Sequence, residues 1–68
     1  MTVVKVVDLI GVSDKSWEDA VSKAVKDASK TIDNITGVEV ISATANVRDG
    51  ELTEYKATVK VAFGVLDR

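Results

Sequence analysis

The chain has 68 residues and a net charge of −2, and a fold of that size removes only about 60% of its unfolded surface from water. It contains neither cysteine nor histidine, which excludes a disulfide, a zinc centre of the usual kind and any Ser-His-Asp or Cys-His machinery. Its nine basic residues are scattered along the sequence, so no electrostatic footprint for nucleic acid is present, and no apolar run approaches the roughly 20 residues that span a bilayer.

Val3 to Ile10 is a β-branched run interrupted by Lys5 and Asp8 and closed by Gly11, which predicts a first strand. Both of its faces are largely apolar, so the strand needs cover on both sides. After the Gly11–Lys15 turn, Ser16 is placed to cap a helix, with Asp19 where a capping box prefers Glu or Gln. Trp17, Ala20, Val21, Ala24, Ala28 and Ile32 recur at spacings of three and four, which predicts an amphipathic helix over 16–33. Trp17 begins that stripe and is expected to be a core or interface side chain rather than a platform for a ligand ring.

Asp33-Asn34-Ile35-Thr36-Gly37 ends the helical pattern with turn-forming residues. A second strand is predicted over 38–48 and a third over 52–65, joined by Asp49-Gly50, the preferred chemistry for a two-residue hairpin. On the third strand Tyr55, Ala57, Val59, Val61 and Phe63 share one side, which should pack on the helix. The sum is an α+β fold, one βαββ domain over 1–68. Its three-stranded antiparallel sheet wraps one helix in the order one-three-two. One helix cannot cover both faces of such a sheet, and the bare face still carries Val4, Val6 and Ile10. That face and the 46% hydrophobic content predict association with further copies.

No residue set reads as a catalytic site, so the chain is expected not to be an enzyme. Asp8, among apolar residues, needs a lysine, a backbone amide or a cation as partner. Lys56 and Lys60 could meet an anionic group or make ion pairs between subunits. The start, Met1 to Lys5, lacks a basic segment with a long apolar stretch behind it, which reads as cytoplasmic.

The sequence resembles the dodecin family over nearly its whole length. The likeness lies in Lys5-Val6 through Gly11 to the Ser13 turn, Ser16-Trp17-Glu18-Asp19-Ala20, Asp33-Asn34-Ile35, Val38-Glu39-Val40, Tyr55 and Val59-Lys60-Val61-Ala62-Phe63. The resemblance implies a hollow homo-dodecamer that binds or stores flavin, as riboflavin or FMN. The positions matching the family's flavin site are Gly37, Val38 and Lys56. Gly37 stands where many members have a stacking tryptophan, and Lys56 where they tend to have glutamine, so the flavin site is degenerate. Members without that tryptophan are described as binding calcium, and this chain is similar to them. Calcium or magnesium would draw on Asp8, Asp33 and Asp49, with Asn34 beside them and neighbours or water completing the shell.

Overall fold

A computed structural model describes residues 2–66. The elements run β1 (Thr2–Ser13), α1 (Trp17–Ala28), β2 (Ile35–Arg48) and β3 (Glu51–Leu66). The sheet is antiparallel in the order β1-β3-β2, as the alternation on the third strand and the tight Asp-Gly hairpin predict. Asp49 and Gly50 have φ of 52° and 80°. Two consecutive residues in the left-handed region are what a hairpin needs to follow the twist of its strands.

The helix is shorter than its sequence pattern. It starts where Ser16 predicts, the Ser16 hydroxyl accepting the Asp19 N–H at 3.0 Å. Its regular part ends at Ala28 rather than Asp33. Beyond that point the Lys30 and Thr31 amides donate to carbonyls three residues back, Asp27 and Ala28, while Ser29 Oγ–H donates to the Lys26 carbonyl. Short polar side chains compete for backbone carbonyls in this way and tighten the last turn. Asn34, at φ 64°, then turns the chain into β2. The apolar period continued to Ile32, but local hydrogen bonding stopped the helix a turn sooner.

β1 also differs from expectation: Gly11 lies inside it, paired with Ala57, and the strand runs on to Ser13 opposite Tyr55. A Cβ built on Gly11 would overlap the Ala20 carbonyl oxygen and sit 3.2 Å from Ala24 Cβ. Glycine at this position lets the helix backbone lie against the strand. Ala20, Ala24 and Ala28, four residues apart on one helix face, are buried and small for the same reason. They close over Ala57, Val59 and Val61, each with no exposed surface, and over half-buried Val7, Leu9, Val21, Val25 and Ile35.

Ser13 fixes the crossing from β1 into α1. Its hydroxyl donates to Asp19 Oδ2 at 2.6 Å and accepts the Lys15 and Ser16 amides at 2.9 and 3.4 Å. Asp19 therefore turns toward Ser13 instead of completing a reciprocal box with Ser16. Lys23 Nζ lies 3.3 Å from the same Asp19 oxygen.

Candidate functional site

The face of the sheet away from the helix is read from the register, because residues directly opposite in an antiparallel sheet share a side. Along β1 it carries Val4, Val6, Asp8, Ile10 and Val12; along β3, Ala62, Lys60, Thr58, Lys56 and Glu54; along β2, Gly37, Glu39, Ser42, Thr44 and Asn46. Val4, Val6 and Ile10 are 59%, 55% and 66% exposed, so the bare apolar strip predicted from β1 is present. β2 adds a second: Val38 and Val40 pair with buried Val61 and Val59, on the helix side, yet remain half open.

Asp8 is exposed rather than buried. It stands opposite Lys60, which on its other side stands opposite Glu39. The three side chains share one transverse level of the open face, Asp8 and Glu39 flanking Lys60 in the register. Lys56 stands opposite Val12 and Thr44, with its Nζ 3.7 Å from Glu54 Oε1. That oxygen also accepts a hydrogen bond from Asn46 Nδ2 at 3.1 Å.

The positions matching the flavin site are not brought together within one subunit. Gly37 pairs with Ala62 and Lys56 lies six residues back along β3, a separation of about 20 Å at 3.3 Å per residue. A Cβ on Gly37 would meet nothing within 4 Å, so the position has room for a ring but no ring of its own. Val38 beside it points to the other side of the sheet. One subunit alone does not fit flavin as a sandwich.

The acidic candidates are also dispersed. Asp8 lies in mid-strand, Asp33 between α1 and β2, and Asp49 at the hairpin turn. Nine residues of β3 separate the Lys60 level from the turn, about 30 Å. Among the described residues no group of three carboxylate, histidine or cysteine side chains could hold a metal ion. Calcium takes six to eight oxygens, so a single subunit does not fit that ion either.

The contact that sequence reasoning missed is made by Trp17. Of the core or interface places expected for it, the core is not the one it takes, since it is 37% exposed at the rim of the sheet. Its Nε1–H donates to the Thr44 carbonyl at 2.7 Å, and its ring meets Tyr55 edge-on with centroids 5.0 Å apart. The helical stripe located Trp17 on the correct face, but nothing in the spacing revealed a bond to a β2 carbonyl. Among the described residues no helix is long and apolar enough to cross a membrane.

A three-stranded antiparallel sheet closed on one side by a single helix, with an apolar strip left bare on the other, defines the class as a small βαββ subunit. The chain belongs to the dodecin family, whose model matches residues 3–66. Assembly into dodecamers is known for dodecins. It is 36% identical over 63 residues to the calcium dodecin of Mycobacterium tuberculosis, covering 93% of this chain and 89% of that one. A crystal structure of that calcium dodecin, described as a calcium-chelating antigen with a novel calcium-binding site, superposes with a TM-score of 0.78 at 36% identity, over 90% and 87% of the two chains. The dodecin of Streptomyces davaonensis matches with a TM-score of 0.89 at 26% identity, over 97% of each.

Proposed function

We propose that this chain is the subunit of a homo-dodecameric shell that binds or stores a small ligand without turnover, and that the ligand is calcium in preference to flavin. The observation that carries this reading is the open space at Gly37. A flavin ring held there would lack an aromatic partner from this chain, and ring stacking contributes about 0.5–1.5 kcal/mol beyond area burial. The likeness to a calcium dodecin supports the same direction. Because the acidic side chains of one subunit lie apart, a calcium site in this protein joins carboxylates of more than one copy. Asp8 is the first candidate, since it is exposed on a face open to a neighbour and shares its transverse level with Glu39 two strands away, with Asp33 and Asp49 after it.

The test treats the purified protein with chelator and follows thermal unfolding, then restores calcium and magnesium separately. A lowered transition recovered by calcium alone supports the reading, and recovery by magnesium equally well reassigns the ion. An unchanged transition together with strong quenching of riboflavin or FMN fluorescence would return the family's flavin function to this member. Gly37→Trp should then raise flavin affinity by about tenfold or less, the factor corresponding to one stacking contact.

A further inference from the structure

Every aspartate and asparagine of the chain but one is followed by a residue that carries a side chain; Asp49 alone is followed by glycine. A backbone amide nitrogen can attack the side-chain carboxyl of the residue before it and close a five-membered ring, and a glycine nitrogen is the least shielded for that attack. Both Asp49 and Gly50 are exposed, and a Cβ built on Gly50 would meet nothing within 4 Å. The turn also stands at the end of a thin support. β1 stops at Ser13, opposite Tyr55, while β2 and β3 continue through Asn46–Glu54, Val47–Leu52 and Arg48–Glu51. The helix meets this ribbon at its root, where Trp17 bonds the Thr44 carbonyl and sets its ring on Tyr55. Beyond the root the molecule is two strands wide, which alone is marginal in water, and a register shift between Asn46 and Val47 interrupts the ladder close to the turn.

When closed, the turn keeps the reacting atoms apart. Positive φ at both Asp49 and Gly50 marks a type I′ turn, whose first central residue has ψ of about +30°. The Gly50 nitrogen then lies nearly anti to the Asp49 Cβ about the Cα–C bond, whereas ring closure needs the two nearly eclipsed. Bond formation therefore waits on opening of the ribbon tip, an event of low free energy where few buried contacts hold the backbone.

We propose that Asp49 is a site of spontaneous isomerisation to isoaspartate, reached from the open form of the tip and held off by the closed one. The Gly50 nitrogen attacks Asp49 Cγ; a C–N bond forms, the carboxyl hydroxyl and the amide proton leave together as water, and a succinimide results. Water then adds to either ring carbonyl. Cleavage of the ring bond at Cγ returns aspartate, and cleavage at the backbone carbonyl leaves the chain running through Cβ with a free α-carboxylate. Water is the only co-reactant, and net charge and mass end as they began. The product inserts a methylene into a two-residue connection, so the Arg48–Glu51 and Val47–Leu52 pairs lose their register. Its α-carboxylate is of the class methylated by S-adenosylmethionine-dependent isoaspartyl methyltransferases, which makes the aged tip a substrate for such an enzyme.

The experiment stores the purified full-length protein for weeks at neutral pH, folded in buffer and unfolded in guanidinium. Isoaspartate is then counted by methyl transfer from labelled S-adenosylmethionine with a purified isoaspartyl methyltransferase, and placed by peptide mapping. Label should accumulate at position 49 in both samples, more slowly in the folded one by about tenfold or more, the ratio that an unfavourable opening step imposes. Asp49→Glu, which would have to close a six-membered ring, should take no label there in either state. Asp49→Asn, which expels ammonia in place of water, should label faster than the wild type in both. A folded sample with no label at position 49, beside an unfolded one that labels, would overturn the site. Equal rates in the two states would overturn the protection by the closed turn.

Discussion

β3 has two neighbours, and they live in different surroundings. On the β1 side the helix lies so close that Gly11 has no room for a methyl group, and Ala57, Val59 and Val61 are sealed beneath alanines. On the β2 side the ladder is just as long, yet nearly every residue of β2 is exposed and its register shifts three times. Hydrogen bonding is common to both halves, so it cannot be what distinguishes them. Backbone ladders fix the strand order, while close packing against α1 fixes only the β1–β3 half. What remains of β2 is held by its ladder to β3 and is otherwise exposed surface. Register shifts and their extra twist also blunt an exposed edge against unwanted pairing.

The sharpest way to break that contrast is to add the same methyl group to each half. Gly11→Ala must displace the helix backbone, and urea unfolding should show a loss of about 3 kcal/mol or more, the upper range for overpacking. Gly37→Ala meets nothing within 4 Å and should leave stability within about 0.5 kcal/mol. Both are compared at one protein concentration, because association adds to apparent stability.

A second pair removes methyl groups instead. Val59→Ala opens a cavity in a fully buried position and should cost about 2–3 kcal/mol. Its register partner Val40, 52% exposed, should cost less than about 1 kcal/mol on truncation to alanine when the subunit is dissociated. A larger loss in the assembled protein than in the dissociated one would place Val40 in a contact.

Next in size comes the junction between the halves. Ser13→Ala removes the acceptor of two backbone amides, and its expected cost is about 1–3 kcal/mol by thermal or urea unfolding. The smallest effect is on acid sensitivity. The hydrogen bond from Ser13, helped by Lys23 and Lys15 against partial desolvation, holds the Asp19 carboxyl below its usual value near 3.8. A depressed carboxylate stabilises the fold above its unfolded pKa, and the contribution is lost as pH falls through the folded value. Stability should therefore decline below about pH 4, and the decline should be shallower in Ser13→Ala. Identical acid profiles would remove Asp19 from the account.

Much of this was legible in the residues themselves. Alternation on β3, the Ser16 cap and the Asp49-Gly50 turn are local signals, and each predicted its element; the strand order followed from a third strand able to pair antiparallel with both others. Gly11 was read as a strand end because glycine marks both turns and close approaches, and only the position of Ala20 across the gap tells which. The helix terminus was missed because apolar spacing ran past the hydrogen bonds that ended it. The ligand positions were legible as types and not as a site: Gly37, Lys56, Asp8, Asp33 and Asp49 lie far apart in one copy, and no spacing within a single chain can show what several copies bring together.

The Asp49-Gly50 turn also sets an order of events. Arg48 and Glu51 meet across two residues, whereas Ser13 must find Tyr55 across 42 positions of chain, 55 less 13. Closing the longer loop costs more entropy and is slower, which predicts that the hairpin forms before β1 docks. The half of the molecule that finishes least protected is thus the one expected to form first.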